Sequence, residues 1–342
     1  MLTIGAYVSN NIQDEIHSFL QGLSLDKNVY LFERQVRTSK YYNCNILVTH
    51  GTYKPLCNTK KNIKRLLQKH HRDFKKPHII IEGGYLKKGS CFSVGINGLN
   101  GRANFCNQNS PSDRWKKFNM ELKSWRKDGE HILVVEQVIT DSSVCHTDFT
   151  DWVYKTIKNI RQHTNRPIIY RIHPKNIAIA RLPLPAKEWK AVIYDKITDK
   201  ILKHWECLAY IAFHYDDIII SQNENPEQIK NLPHYQAYNN KLNGLEKDLE
   251  NCWCVVTFNS NVGVDATLAG IPVITHDKGS MVYNITSHDI STINNPYIPN
   301  DELRQQWAYD TAYAEWSPDE LKSGEAWQHI KPCILKILKR KK

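Results

Sequence analysis

Apolar residues in this chain fall into short runs, separated by longer stretches in which apolar positions recur every three or four residues. That alternation belongs to a βα protein. The runs at residues 2–8, 28–33 and 45–50 read as strands. "KKNIKRLLQKHHRDFKK" follows, with Ile63, Leu66, Leu67 and Phe74 on one helical face and Lys60, Lys61, Lys64, Arg65, Lys69, Arg72, Lys75 and Lys76 elsewhere, which predicts a helix with a basic outer surface. "HIIIEGGYL" reads as a strand ending in Glu82 and a Gly-Gly turn, and "SVGINGLNGRANF" as a Gly/Asn-rich loop. Further along come a strand at 131–138, a helix near 149–164, the strand "PIIYRI" closed by "HPKN", and strands near 208–220. A strand from Cys254, a helix from Val262 and a strand at Pro272–Ile274 complete the pattern. This order predicts a doubly wound α/β sheet.

The densest stretch is "CVVTFNSNVGVDATLAGIPVITHDKGS", residues 254–280. A buried strand, a polar turn and a helix start present backbone N–H groups and a positive dipole end, so Ser260, Asn261 and Gly263 are a candidate phosphate turn. The polar segment "NQNSPSDRWKKFNMELKSWRKDGE" reads as a boundary between halves. We expect an N-terminal domain over 1–120, a C-terminal domain over 121–300, and a helical, Trp-rich tail over 301–342 that packs back on them.

Length and charge sharpen this picture. A chain of 342 residues is long for a single core, and a net charge of +11 favours a polyanionic partner or a phosphorylated substrate. No apolar run approaches a membrane span, and "MLTIGAYVSNNIQDE" reads as a first strand, so a soluble, cytoplasmic protein is expected. The nine cysteines are scattered without C-x-x-C spacing, which predicts reduced thiols in place of disulfides or structural zinc.

The residues "VVEQVITDSS", "IIYRIHPKN" and "VVTFNSNVGVDATLAGIPVIT" together resemble the C-terminal half of glycosyltransferases of the GT-B fold. They look most like bacterial capsule transferases that move Kdo and like phage-encoded glycosyltransferases, over roughly residues 131–285. The resemblance implies two Rossmann-like domains facing a central cleft, with a nucleotide sugar held by the C-terminal one. It implies that His173 and Lys175 lie near the donor phosphates, that Ser260, Asn261 and Gly263 bind phosphate, and that Asp265 contacts ribose or base. Gln137 and Asp141 would border the cleft.

The chemistry agrees in kind. Glycosyl transfer builds negative charge on the departing diphosphate, which Arg171, His173 and Lys175 are suited to stabilise with no obligatory metal. A base must reach the acceptor hydroxyl; Glu82 and Asp141 are the catalytic candidates, with Asp113 behind them. Asn97 and Asn100 are candidate acceptor-loop residues, and Lys64, Arg65 and Lys69 a candidate polyanion surface. A UDP-sugar donor is favoured, a CMP-sugar being the other option. The favoured acceptor is phage DNA carrying a hydroxymethylated pyrimidine. The alternatives are a capsule or surface-glycan transferase, for which the C-terminal "IKPCILKILKRKK" would be a membrane-binding helix, and a non-catalytic nucleic-acid-binding protein on a transferase scaffold. Each feature also has a plain structural explanation: His173 as a loop residue, Asn97 and Asn100 as turn formers, Glu82 as a brace for its turn, and the basic helix as a solvated face.

Overall fold

In a computed structural model of the chain, the described residues are 1–8, 14–35, 42–52, 63–139, 141–144, 146–173, 176, 203, 204, 207, 218–222, 240–242 and 244–339. The chain divides into two compact units, one made of Met1–Tyr53, Cys57–Met120 and Asp301–Lys342, the other of Lys54–Leu56 and Glu121–Asn300. Both are mixed α/β units built on a largely parallel sheet.

The first unit contains β1 (Leu2–Val8), β2 (Val29–Gln35), β3 (Ile46–His50), β4 (His78–Gly83), β5 (Phe92–Ile96) and β12 (Glu315–Trp316), in the spatial order β12-β5-β4-β3-β1-β2. The β2, β1, β3 and β4 strands are parallel, so both sheet faces must be covered, and their sequences run apolar on both. Helix α1 (Asp14–Ser24) supplies one cover. Its Ile16, Phe19, Leu20 and Leu23 share one face and pack on Ile4, Ala6, Val8, Ile46 and Val48. On the other face Tyr7 and Leu47 meet Leu67 of α2 (Ile63–Asp73).

The Gly/Asn-rich segment departs from the expected loop. Residues 92–96 form β5, antiparallel to β4, and the chain turns only at Asn97. Asn97 takes φ 60°, donates its N–H to His78 O at 2.8 Å and accepts from His78 N at 2.8 Å through its side chain. Its work is closing this hairpin, and Asn100, also left-handed at φ 50°, opens a single 3₁₀ turn. Gly95 and Ser93 of this strand dilute the alternation that would have revealed it.

The chain returns to this unit after residue 300. Helix Asp301–Ala312 leads into β12, which pairs antiparallel with β5, and then into helices Pro318–Lys322 and Glu325–Lys339. Trp327, Ile330 and Ile334 of the last helix lie in the core beside Phe19 and Leu23. The apolar face that would have suited a membrane surface is therefore occupied inside the protein. Among the described residues no helix is long and apolar enough to cross a membrane.

Polar groups lock this return. Glu315 is fully buried and its carboxylate accepts the N–H groups of Tyr85, Leu86 and Lys87 at 2.7, 2.5 and 3.1 Å, filling the turn after β4. Gly84 is required there, since a Cβ would sit 2.5 Å from Glu315 Oε2. The segment expected to be a polar boundary instead contains α3 (Asp113–Phe118), with Arg114, Trp115 and Phe118 buried. Arg114 lies 3.9 Å over the Trp316 ring and reaches Glu320 at 2.9 and 3.0 Å, a bidentate contact. Asp113 meets the Tyr313 hydroxyl at 2.8 Å, so it braces this packing. Cys106 and Cys333 form a disulfide with Cα atoms 6.4 Å apart, which corrects the expectation of reduced thiols throughout. The partners are 227 residues apart, so no local spacing signals the pair.

The second unit contains β6 (His131–Val135), β7 (Ile168–Arg171), β8 (Ile218–Gln222), β9 (Asn240–Leu242), β10 (Cys252–Thr257) and β11 (Val273–Thr275), all parallel, in the order β11-β10-β6-β7-β8-β9. Helix α4 (Phe149–His163) covers the sheet with Phe149, Val153, Ile157 and Ile160, against Ile132, Val134, Ile168 and Tyr170. Asp148 caps it, accepting from Thr150 N at 3.1 Å and Asp151 N at 3.2 Å. The chain builds outward from β6 to β9, then crosses back to place β10 on the other side of β6. This reversal puts the topological switch point between the C-terminal ends of β6 and β10.

Two carboxylates of the first unit set its acid sensitivity. Hydrogen bonds from Lys331 (2.6 Å) and Trp327 (2.8 Å) hold Asp26 down at about 2. Burial disfavours ionisation of Glu320, but bonds from Arg114 and Lys117 outweigh it and bring this carboxyl also to about 2. Both pKa values are depressed on folding, so the stabilisation is complete above the ordinary carboxylate range and is lost as pH falls from about 4 toward 2. Urea midpoints measured across that window should drop steeply, and Asp26→Asn should flatten the drop. At neutral pH, Arg114→Ala strands the buried Glu320 and is expected to cost about 3–5 kcal/mol in the same measurement.

Candidate functional site

In open α/β sheets, ligands bind outside the C-terminal ends of the strands where the strand order reverses, because diverging connections leave a crevice there. In the second unit this edge is polar and internally organised. β6 runs into Glu136 and Gln137, β10 into Phe258 and Asn259, and β11 into His276 and Asp277, all but His276 strongly buried.

A chain of side chains spans the switch point. Asn259 donates its backbone N–H to Gln137 Oε1 at 2.9 Å, and the Gln137 amide donates back to Asn259 Oδ1. The Asn259 amide nitrogen donates to Asp277 Oδ1 at 2.6 Å and to Ser143 O at 3.0 Å. Asp277 also accepts from Gly279 N at 2.9 Å, and its other oxygen lies 3.0 Å from His146 Nε2. Asp277 is buried, whereas the His146 side chain is 44% exposed and lies 5.6 Å from the Phe258 ring. Two amides and a carboxylate thus carry a fixed orientation from the core out to an imidazole at the surface.

Beside it, Glu136 organises the ends of β6 and β7. This carboxylate is 1% exposed and accepts from Tyr170 OH at 3.2 Å, His173 N at 2.6 Å and Asn176 Nδ2 at 2.8 Å, with His204 Nε2 at 2.5 Å. Buried charge of this kind is tolerated only when its lone pairs are filled. His173 is held here through its backbone, with its ring half-buried. Next to both networks a cavity of about 550 Å³ opens at the start of α4, walled by Ile139, Thr147, Phe149, Tyr154, Lys203 and Cys207. That volume is in the range of small-ligand sites. Burial pushes the Cys207 thiol up to about 11, so it is a protonated, unreactive wall. Burial, assisted by nearby His288, likewise lowers His276 to about 4. Its neutral ring accepts from Trp152 Nε1 at 2.9 Å.

The residues singled out from sequence are distributed differently from the expectation. The Arg171 guanidinium is buried and bonded to the fully buried Asp248. Asp248 O also lies 2.9 Å from Nε2 of His131, the first residue of β6, so the Arg171 side chain turns away from the C-terminal edge. The donors of the 260–264 turn are engaged within it: Ser260 N with Thr257 Oγ1 at 3.1 Å, Val262 N with Ser260 Oγ at 3.3 Å, and Gly263 N with Ser260 O at 3.0 Å. The helix that follows, Val262–Leu268, is only seven residues long. Asn261 stands at its N-cap without a side-chain cap bond. Gly263 faces Val282, where a Cβ would lie 3.0 Å from Cγ2, so the glycine serves helix packing. Asp265 is half-buried in the first turn.

Asp141 sits on the rim after β6, accepting Ser143 N at 2.9 Å. It is thereby joined through the Ser143 carbonyl to Asn259. Glu82 belongs to the other unit, half-buried at the end of β4, with its backbone carbonyl 3.4 Å from Ser93 Oγ. Lys64, Arg65 and Lys69 lie on α2, where Lys69 is exposed, and Lys175 lies outside the described residues. Among the described residues no cluster of three or more His, Cys, Asp or Glu side chains is arranged to hold a metal ion. Sequence reasoning missed Glu136, Asn259, His146 and Asp277. The available signal was a polar residue ending each apolar run: "VVEQ", "VTFN" and "VITHD".

No protein-family model matches the chain, and no curated protein matches it. Among solved structures it is similar to KpsC, beta Kdo 2,4 transferase of Thermosulfurimonas dismutans, at 11% identity over 90% of this chain and 89% of that one, with a TM-score of 0.46. It is similar also to KpsC, beta Kdo 2,7 transferase of the same organism, at 13% identity over 99% and 100% of the two chains and a TM-score of 0.44. The S. aureus MnaA–UDP co-structure is similar at 10% identity over 98% of each chain, with a TM-score of 0.32. Nothing about substrate follows from likenesses of this kind.

The switch-point chain makes a direct prediction. Asn259→Asp keeps the shape but sets a second carboxylate against Asp277, where a 2.6 Å hydrogen bond now stands. The expected loss, read by urea unfolding, is at least the ~1–3 kcal/mol of an unsatisfied buried polar group.

Proposed function

We propose that this chain is a glycosyltransferase that binds a nucleotide sugar at the C-terminal edge of its second unit and transfers the sugar to a hydroxyl acceptor. The observation that carries the reading is the Gln137–Asn259–Asp277–His146 chain across the β6/β10 switch point, beside a cavity of about 550 Å³. The sequence resemblance of "VVEQVITDSS" and the 254–280 stretch falls on the same edge. In this reading the His146 ring meets the donor, the buried amides and Asp277 hold that ring in place, and Asp141 on the rim and Glu82 in the first unit are the carboxylates proposed for the base. UDP-sugars are the favoured donors.

A polyanionic acceptor is supported by α2 and the turn after it. Lys69, Arg72 and Lys75 are exposed there, beside Phe74, whose ring is tilted against that of His70 at 4.5 Å and is 61% exposed. Cations interleaved with an exposed aromatic suit a polyanion with planar groups, so DNA carrying a hydroxymethylated pyrimidine is the acceptor we favour. The burial of Trp327, Ile330 and Ile334 removes the feature that favoured a glycolipid at a membrane.

The test is a transfer screen with UDP-, GDP- and CMP-sugars against hydroxymethylpyrimidine DNA, unmodified DNA and an anionic oligosaccharide, read by mass spectrometry. A sugar added only to the hydroxymethylated base establishes donor and acceptor together. Transfer to the oligosaccharide alone moves the acceptor to glycans, and DNA binding with no nucleotide-sugar affinity leaves a non-catalytic binding protein. His146→Ala is expected to weaken donor binding about tenfold or more, the ~1.5–3 kcal/mol of a hydrogen bond to a charged group.

A further inference from the structure

The cavity at the start of α4 has a wall group whose hydrogen-bonding sense is fixed from within. Thr150 lines it, and Thr150 Oγ1 lies 3.2 Å from His204 Nδ1. His204 Nε2 in turn lies 2.5 Å from Glu136 Oε1, and both of these residues are 1% exposed. The other partners of Glu136 are all donors: His173 N, the Tyr170 hydroxyl and Asn176 Nδ2, whose amide is oriented by the bond its Oδ1 accepts from Ile139 N at 3.2 Å. A carboxylate satisfied in this way takes the imidazole proton on the Nε2 side. The neutral ring then turns the lone pair of Nδ1 toward Thr150 and draws the hydroxyl proton inward. What Thr150 presents to the cavity is lone pairs, so a group that in water both donates and accepts is held here as an acceptor.

The helix start beside it does not invite an anion. A first turn ordinarily suits one, through its N–H groups and dipole. Here the cap carboxylate of Asp148, another wall residue, already takes the N–H groups of Thr150 and Asp151 at 3.1 and 3.2 Å. Asp151 lines the cavity as well and pairs with Lys155 at 2.8 Å. A phosphate or a sugar carboxylate entering here would find these donors taken by one carboxylate, with a second close by. Lys203 is the one cation among the described lining residues, and it is exposed. Oriented acceptors beside the apolar groups of Ile139 and Phe149 call for a ligand part that brings donors and no negative charge. The hydroxyls of a neutral sugar ring are such donors, and its C–H faces suit the apolar wall. Thr147, in the same wall, follows His146 in the chain, so the cavity begins one residue from the imidazole assigned to the donor.

We propose that this cavity takes the sugar ring of the nucleotide-sugar donor, that the sugar is neutral, and that Thr150 is a specificity-determining residue that accepts a hydrogen bond from one of its hydroxyls. His204 and Glu136 are the residues positioning Thr150. The inference rests on the glycosyltransferase reading and deepens it by naming the class of sugar moved. It also separates the two donors that the sequence leaves open, since a nucleotide carrying a neutral sugar matches this wall and a CMP-activated acid sugar does not.

The experiment is calorimetric binding by wild type, Thr150→Val, Thr150→Ser and His204→Gln. The ligands are UDP-glucose, UDP-N-acetylglucosamine and GDP-mannose as neutral donors, UDP-glucuronate and CMP-Kdo as acidic ones, and the bare nucleotides. In wild type the tightest nucleotide sugar should be a neutral one, and UDP-glucuronate should bind about tenfold or more weakly than UDP-glucose, because its carboxylate is set against like charge. Thr150→Val should weaken the best neutral donor about tenfold, the size of one lost hydrogen bond, and leave the bare nucleotide unchanged. Thr150→Ser should bind as wild type does. His204→Gln should show the same loss confined to the sugar, with no further loss when combined with Thr150→Val, which a merely structural role would not produce. An acidic donor that binds tightest overturns the proposal, and this comparison needs no variant to fold. So does a folded Thr150→Val that binds every ligand as wild type does, or that loses bare nucleotide as much as nucleotide sugar. If wild type binds no nucleotide or nucleotide sugar at all, the glycosyltransferase reading itself fails, an outcome distinct from binding with the wrong preference.

Discussion

Parallel strands cannot be joined by tight turns, so every parallel pair in these sheets demands a crossover through a covering layer. The second unit depends on that constraint throughout. Four parallel strands, β6 to β9, are laid down in one direction, and the chain must then travel back to add β10 and β11. At the reversal the connections diverge, and the ends of β6 and β10 are left facing a gap. Backbone and side-chain groups at such a gap must find partners, and here they find one another. Asn259 is the hinge of the solution, since one amide joins β6 through Gln137 to β11 through Asp277. The same hydrogen bonds that make the gap tolerable also hold its polar groups in a fixed orientation, which is what a ligand site requires.

The first unit meets the same constraint with a different closure. Its parallel core is β2-β1-β3-β4, and beyond β4 the sheet continues with antiparallel strands. One of these, β12, arrives from the far end of the sequence. A two-residue strand adds few ladder bonds, so its place is set by side chains: Glu315 filling the turn after β4, Arg114 on Trp316, and the Arg114–Glu320 pair. Each is buried and charged, and each is compensated by several bonds. Had one partner been absent, the burial would oppose folding. The C-terminal segment is therefore specified as part of this unit by polar complementarity as much as by Trp327 and its apolar neighbours.

This distinction explains what could be read in the sequence. The runs at 2–8, 45–50, 131–138 and 254–257 are buried on both faces, and uninterrupted apolar character marks them as strands β1, β3, β6 and β10 without reference to anything distant. Helix α4 is legible for a similar local reason, its apolar spacing beginning one residue after the Asp148 cap. What escaped is nonlocal. β12 and the Cys106–Cys333 link depend on partners more than two hundred residues away, and α3 looks like a linker because its buried members include an arginine. The candidate site divides in the same way. A polar residue at a strand end signals an edge, but only the pairing of strands reveals that Gln137 meets Asn259 across 122 residues. The turn at 260–264 shows how much local sequence alone carries. Its local pattern has every mark of an anion site, and in the structure three of its N–H groups are bonded within the turn while Gly263 lets the helix pack on Val282.

The two switch points also differ in what they hold, and the difference bears on chemistry. In the second unit the pairing is amide to amide to carboxylate, which can orient a ligand through directional bonds while transferring no proton in the core. In the first unit, whose strand order reverses between β1 and β3, the Glu15 carboxylate lies 2.7 Å from His50 Nδ1 at the end of an apolar row. Orientation and proton transfer make different demands on a protein. The former benefits from a fully satisfied network that does not change state, the latter from a group whose two states are both accommodated. Asn259, 2% exposed and bonded on every side, can serve only the first purpose.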